Sequence, residues 1–522
     1  MKSKAEQSIE RIKGIKYQLV IQSACIGVVA GIVVSGFRMI LTKAEPLRGS
    51  VIAMAKDDHS MIPLLLLALA VCYLGAWLCL KIEPLCGGSG IPQVAGELKG
   101  KVYMTWWRVL LAKIIGASLA ITGGLSLGRE GPSIQIGAMV GKGFSRGARH
   151  IVSEEKLLIT CGAAAGLAAA FNAPLAGAMF ALEGLHKNFS TDILLGSLTA
   201  SVSANFVAFY FFGLTPVFDL VMGRPLPLHL YWMLLLLGVV LGLFGVLYGR
   251  CIAWCQDLYG RLPGRSVRLL VPFLLVIPLA ILLPEVLGGG NWLVRDTSDG
   301  RYALAALAVL LAVKFCFSII SFSSGAPGGI FMPLLVLGGL AGGLFFLLLN
   351  PLVGVENGMI SNFVVFGMVG YFAAIVRSPV TGIILITEMA GDFNNFLALS
   401  VVALVAYITA DLTGTLPIYE QLLQRILSGK GNYGMTHGQR DEKVMMESDV
   451  YIASHMDGNK IKSMKLPEGS LIVAVQRDQQ EIVPRGDTRL AGGDKLTILC
   501  RQGDMEEVDR ILEAMCRREC KR

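Results

Sequence analysis

The chain has 522 residues, 54% of them hydrophobic and only 16% charged. That balance fits a polytopic membrane protein and excludes an ordinary soluble enzyme. The net charge of +8 comes without the basic–aromatic alternation of a nucleic-acid surface, so no nucleic-acid partner is expected.

Residues 1–16 read as a charged amphipathic helix. Lys2, Lys4, Arg11, Lys13 and Lys16 precede the first apolar run, and the positive-inside rule places that end in the cytoplasm. No cleavable signal is expected. Tyr17–Leu41 reads as the first membrane helix and residues 42–60 as a polar connection. Met61–Leu80 has no charge and is long enough to span a bilayer.

Next comes Leu85-Cys86-Gly87-Gly88-Ser89-Gly90-Ile91-Pro92, ahead of a short helical stretch over 93–100. The run of small residues marks a broken helix, and Ser89 offers a hydroxyl donor there. Residues 105–122 and 133–148 read as helices. Between them, Gly128-Arg129-Glu130-Gly131-Pro132 places two charges deep in apolar sequence. The glycines free the backbone and Pro132 suits a first helical position. A helix N-terminus inside a membrane is an anion site, because free N–H groups and the positive dipole end face it. Glu130 stands at that mouth. It reads as a gate that competes with a transported anion and takes up a proton when displaced, since intramembrane carboxylates are costly and functional.

Residues 156–185 are rich in Gly and Ala and end in Ala173-Pro174-Leu175-Ala176-Gly177 and Glu183. Apolar spans follow at 191–212, 230–249, 269–287 and 302–321, the last despite Lys314. Gly325-Ala326-Pro327-Gly328-Gly329-Ile330-Phe331-Met332-Pro333 is a third broken-helix signal. Further apolar stretches cover 334–353, 361–376, 379–388 and 396–416. The Ala173–Glu183 segment recurs as Ser378–Glu388 at an offset of 205, and Gly128–Gly131 resembles Gly325–Gly328 at 197. Gly/Pro-interrupted segments in two halves indicate a transporter built from repeats, with its site at their interface. The eleven cysteines form no CxxC pair and read as reduced thiols. No nucleophile–base pair, Walker loop or metal-ligand cluster appears in the sequence. Neither enzymatic activity, nor a cofactor, nor a metal is expected.

The chain resembles the CLC family of chloride channels and proton-coupled chloride exchangers. The resemblance rests on Gly88-Ser89-Gly90-Ile91-Pro92, Gly128-Arg129-Glu130-Gly131-Pro132 and Gly329-Ile330-Phe331-Met332-Pro333, in order, over about residues 15–425. It implies an all-α membrane domain of two inverted repeats and about eighteen helical segments, assembled as a homodimer with one pore per subunit. It also implies chloride/proton antiport in a prokaryotic-type plasma membrane, with both termini cytoplasmic. A passive chloride channel is the alternative, and a fluoride/proton exchanger the second. By this resemblance Glu130 is the gate and Ser89 binds the central chloride. Ile330 and Phe331 supply backbone amides, and Tyr419, in Leu416-Pro417-Ile418-Tyr419, a hydroxyl. Gly90, Ile91, Gly128, Arg129, Gly131 and Gly329 complete the anion site. Many exchangers carry an internal proton-relay glutamate where this chain has Gly184. Glu183 is thus a candidate for internal proton access, at most shaping a route that water completes.

Residues 427–444 read as a linker, closing a membrane domain over 1–426. Residues 445–522 read as a small α+β cytoplasmic domain. Val450–Ile452, Leu471–Val475 and Lys495–Leu499 are expected strands, and Asp504–Arg518 a helix with Val508, Ile511, Leu512 and Met515 on one face. Ile482–Thr488 with Gly493-Asp494 resembles the C-terminal subdomain of RCK (TrkA-C) regulatory proteins. That implies pairing and a small ligand such as cyclic di-AMP, or a clamp without one.

Overall fold

The computed structural model describes residues 4–515 except 149, 151, 188, 215–217, 219–222, 355, 429–442, 452–453, 465, 467–468, 478–479, 502–507, 509 and 513–514. It forms two compact units, one of 1–98 with 104–428 and one containing 429–522.

The first unit is helical. Its elements are α1 (Lys4–Asp57), α2 (Ile62–Ile82), α3 (Ile91–Leu98), α4 (Trp106–Thr122), α5 (Glu130–Ala148), α6 (Val152–Phe171) and α7 (Pro174–Phe180). α7 runs into a π-helical turn, Ala181–His186. There follow α8 (Thr191–Phe212), α9 (Tyr231–Gly260), α10 (Gly264–Leu282), α11 (Asn291–Ser298), α12 (Leu304–Ser323) and α13 (Phe331–Val353). The last four are α14 (Ile360–Val376), α15 (Pro379–Ala390), α16 (Phe396–Leu412) and α17 (Ile418–Ser428). Seven described helices are long and apolar enough to cross a membrane, and the others are shorter or less apolar.

Several boundaries differ from the sequence reading: α3 starts at Ile91 rather than 93, α9 runs on to Gly260 rather than 249, and α10 covers 264–282 rather than 269–287. The expected polar connection 42–60 is helical as far as Asp57, with Pro46 inside it. Its charges find partners without breaking the helix: Arg48 donates to the Ile121 carbonyl at 3.1 Å and pairs with Glu45 at 3.4 Å. α5 begins at Glu130, not 133, so Pro132 stands in its third position. That position still needs no intrahelical donor.

α1–α8 and α9–α16 are two copies of one plan. Glu130 and Phe331 open α5 and α13, 201 positions apart (130 to 331), and each is followed at the same step by Pro132 and Pro333. The repeat offset is therefore 201 at this segment, not 197. The helix start sets the equivalence, whereas the sequence comparison matched the wrong glycines. The same packing recurs in both halves. A Cβ on Gly137 would stand 2.1 Å from the Gly162 carbonyl oxygen, and one on Gly338 2.5 Å from that of Gly367. Only glycine lets α5 meet α6, and α13 meet α14, backbone to backbone.

The second unit carries a four-stranded antiparallel sheet of order β1-β4-β2-β3. The strands are β1 (Lys443–Asp449), β2 (Leu471–Arg477), β3 (Gln480–Ile482) and β4 (Lys495–Arg501). β1 precedes the expected strand at Val450 and pairs with β4, Lys443 facing Arg501 and Asp449 facing Lys495. The sequence reading missed β3. A bulge between Ile472 and Ala474 shifts the phase of β2, so Ile472 and Val475 both point inward. Leu496, Ile498 and Cys500 alternate inward on β4. Val508 and Leu512 are helical and buried, while most of the expected helix 504–518 and the linker stretch 429–442 lie outside the described residues. Asp494 is buried and accepts two hydrogen bonds from Arg477, both at 2.7 Å, and one from the Ala491 N–H at 2.8 Å.

Gly162→Ala, whose Cβ would stand 2.2 Å from the Gly137 carbonyl, should destabilise the first unit by about 1–3 kcal/mol. Gly367→Ala, at 2.1 Å from the Gly338 carbonyl, should match it. Gly249→Ala, with no neighbour within 4 Å, should not destabilise. Thermal aggregation midpoints in detergent test all three. In the second unit, Arg477 holds the Asp494 carboxyl below its ordinary value. Its contribution is present above the unfolded value of about 3.9 and disappears as pH falls through the lower folded value. Asp494→Asn should cost about 2 kcal/mol at neutral pH and flatten the acid dependence below about pH 4. Protease susceptibility of the tail in the full-length protein reads both effects.

Candidate anion site

Three interrupted helices meet at one point. The loop before α3 bonds to the loop before α13: Gly88 N–H donates to the Gly325 and Ala326 carbonyls (3.3 and 3.1 Å), and Gly328 N–H to the Gly88 carbonyl (3.0 Å). The loops before α5 and α13 exchange a reciprocal pair, Gly128 N–H to the Gly329 carbonyl at 2.6 Å and Gly329 N–H to that of Gly128 at 2.8 Å. Gly128 and Gly329 are equivalent in the two repeats, so the pair lies on their pseudo-two-fold relation. Gly88 and Gly90 take positive φ (62° and 95°), which a side chain rarely tolerates.

The helix N-termini of α3, α5 and α13 therefore converge, each with first-turn N–H groups that have no carbonyl within its own helix. Ser89 packs on Gly131, where a Cβ would stand 2.4 Å from the Ser89 hydroxyl. The hydroxyls of Ser89 and Tyr419 are both buried and have no hydrogen-bond partner among the described residues. Two buried donors left open describe a place for an acceptor. Phe331, which opens α13, packs its ring 5.2 Å from Phe171 and 4.8 Å from Phe372 between centroids.

Glu130 is fully buried. Its side chain folds back over Gly128, and its carboxylate lies beside the backbone amides of Glu130 and Met332. Neither oxygen reaches full hydrogen-bond geometry. Arg129 Nε stands 3.8 Å away. The carboxylate thus lies between two helix N-termini, a position suited to a free anion. Tyr419 is within its electrostatic reach. On one side a cleft lined by Leu41, Thr42, Arg48, Arg129, Gly290 and Asn291 leads to Glu130.

Two buried lysines, which the sequence reading gave no role, hold this frame. Lys113 Nζ donates to the carbonyls of Cys86 and Gly88 at 2.9 and 2.7 Å. Lys314 Nζ does the same to Val286 and Gly288 at 2.8 and 2.7 Å. Neither forms an ion pair among the described residues; Lys113 ties down the loop before α3 and Lys314 the loop before α11. Their signal was a lysine at the same step of two apolar helices.

Glu183 lies apart from this cluster. Its carboxylate accepts from Val380 N–H (3.2 Å), Thr381 N–H (2.7 Å) and the Thr381 hydroxyl (2.7 Å), at the start of α15. Glu388 does the reciprocal for Leu175 and Ala176 N–H at the start of α7, at 3.1 and 2.9 Å. Each carboxylate caps the other repeat's helix. Gly184 has no room for a side chain unless Phe180 moves, since its Cβ would lie 2.7 Å from that ring.

The voltage gated chloride channel family model matches residues 66–411, and the TrkA-C domain model residues 445–513. The chain is 36% identical over 425 residues to the H(+)/Cl(-) exchange transporter ClcA of Vibrio vulnificus, covering 78% of this chain and 89% of the relative. It is 32% identical to the protein of that name from Klebsiella pneumoniae, covering 78% and 89%. Its structure resembles that of a slow cyanobacterial Cl-/H+ antiporter, with a TM-score of 0.73 and 28% identity over 79% of this chain and 98% of the other. A CLC-type fluoride/proton antiporter gives 0.64 and 25%, over 75% and 95%.

The reciprocal caps predict equal effects. Glu183→Gln and Glu388→Gln should each cost about 1 kcal/mol of stability, because each weakens the same kind of helix cap. Matched thermal shifts of the purified variants would bear this out, and a neutral Glu183→Gln would contradict it.

Proposed function

The chain belongs to the voltage gated chloride channel family, and from that membership we infer that it is a secondary active chloride/proton antiporter gated by Glu130. The observation that carries the inference is the position of the Glu130 carboxylate, between the N-termini of α5 and α13. One place accommodates either the side chain or a free anion. When chloride takes it, the displaced carboxylate loses its amide neighbours and is better satisfied protonated. When chloride leaves, the ionised carboxylate returns. Anion occupancy and proton uptake are then linked at one residue, without a cofactor.

Ser89 and Tyr419 serve as hydroxyl donors to the bound chloride, supported by their open, buried hydroxyls. Ile330, Phe331 and Met332 supply amides from the first turn of α13. Gly128, Gly131 and Gly329 permit the close approach, Gly90 and Ile91 position α3, and Arg129 adds positive charge beside the gate. The protein resides in a prokaryotic-type plasma membrane with both ends cytoplasmic, a reading supported by the basic N-terminal residues. It works as a homodimer, for which the exposed apolar residues Leu175, Val202, Phe206, Val380, Leu404 and Ile408 on α7, α8, α15 and α16 offer a surface. The TrkA-C domain regulates rather than conducts, binding a small ligand such as cyclic di-AMP or clamping a pair of chains.

The reversal potential of reconstituted full-length protein under opposed chloride and proton gradients tests the function. Antiport sets it away from the chloride equilibrium value, whereas a passive channel would sit on that value. Glu130→Gln should abolish proton movement and keep anion flux, because the neutral side chain mimics the protonated gate. Unchanged proton transport in that variant would refute the gate.

A further inference from the structure

We propose that His186 is the proton acceptor at the face of the protein opposite the Glu130 cleft. This rests on the antiport reading, under which a proton must pass between Glu130 and both faces. The cleft serves one face. At the other, Gly184 is packed on Phe180 and carries no titratable group, and the Glu183 carboxylate is occupied by Val380 and Thr381.

The π-helical turn sends its polar side chains in different directions. It contacts α3, α6, α7, α8 and α15. Glu183 leaves it toward α15, and His186 toward α6. His186 Nε2 lies 2.6 Å from the Thr160 hydroxyl, whose single proton goes to the Lys156 carbonyl at 2.8 Å. A hydroxyl has one proton to give, so Thr160 accepts from His186. Nε2 then carries the hydrogen, and Nδ1 is the ring nitrogen that can take up a proton. The ring is half-buried, between the packed interior and the surface.

The location is right as well. Gln22, early in α1, lies 3.3 Å from His150, just before α6 begins, and Thr160 follows on α6. Arg48 of the cleft is about 39 Å further along α1 at a helical rise of 1.5 Å per residue. The π-helical turn and the cleft therefore sit at opposite ends of the unit. The Lys187–Glu420 ion pair also ties the end of this turn to α17, next to Tyr419.

The step is a simple proton transfer. Nδ1 takes a proton from solution to give an imidazolium, with Nε2–H still held by Thr160. The imidazolium then releases the Nδ1 proton inward, with the Glu130 carboxylate as final acceptor, and the neutral ring returns. The charged groups around it are partly committed to each other. On α6, Lys156 faces the ring, while Glu154 pairs with His150 and Glu155 with Arg146. On α3, Glu97 is paired with Lys142 of α5 at 2.5 Å. Asp192 lies at the start of α8, and Glu183 caps α15.

The test uses full-length protein in liposomes, measuring chloride and proton flux together. His186→Gln should lower proton flux by about 100-fold and leave chloride flux of the same order. His186→Glu should restore proton flux with an altered pH profile, because burial and the neighbouring Lys156 push the imidazole below its usual range, whereas burial pushes a carboxyl up. Proton flux and pH profile unchanged in His186→Gln would overturn the proposal. So would loss of proton flux in Glu97→Gln alone, which would make Glu97 the acceptor. Loss of chloride flux in His186→Gln, His186→Asn and His186→Glu alike would also overturn it, since a proton carrier is not needed for anion flux. Absence of proton flux in the unmutated protein would instead refute the antiport reading itself.

Discussion

The arrangement depends on backbone hydrogen bonds between the loops of interrupted helices. Irregular backbone at membrane depth must find partners inside the protein, because hydrocarbon supplies none. Here Gly88, Gly128, Gly328 and Gly329 supply them to one another. Such bonds need a close approach, which is why a Cβ on Gly128 would stand 2.9 Å from Met332 N, and one on Gly328 2.7 Å from Leu127 Cβ. The same bonds fix the three helix ends that face the site. Stability and ion binding are therefore set by one network, and a side chain added within it disturbs both.

The two-fold plan separates residues that hold the frame from residues that do chemistry. Frame residues recur in both halves: Lys113 with Lys314, Gly137 with Gly338, Glu183 with Glu388. The residues proposed to handle the ion and the proton do not. Glu130 corresponds to Phe331, Ser89 to Gly289 and His186 to Gly391. One half therefore presents a carboxylate and a hydroxyl, while the other presents amides and an aromatic wall. That asymmetry leaves a single buried carboxylate at the converging helix ends of a nearly symmetric scaffold. The Glu183 carboxylate makes the same helix-capping contact as its repeat mate Glu388.

Much was legible along the chain. Apolar runs predicted the long helices, and Gly/Pro interruptions predicted the breaks at 88–91, 128–131 and 325–330, because both are local properties. The polar stretch 42–57 misled, since its charges are satisfied by partners distant in sequence, such as the Ile121 carbonyl. The repeat offset at Gly128 misled for a similar reason: several glycines match equally well until the helix starts are known. In the second unit, β1 and β3 escaped because their pairing with β4 and β2, not their composition, makes them strands.

The sequence by itself determined the class of the protein, the broken helices and the family, and it singled out Glu130, because these follow from residue type and spacing. Only the tertiary structure decided which groups those residues meet. It put Glu130 against Met332 N–H, tied Glu183 up as a cap, and aimed His186 at Thr160. Each of those contacts joins segments 26 to 202 positions apart, from Thr160–His186 to Glu130–Met332. No local pattern encodes them, since they arise only when packing brings the helices together.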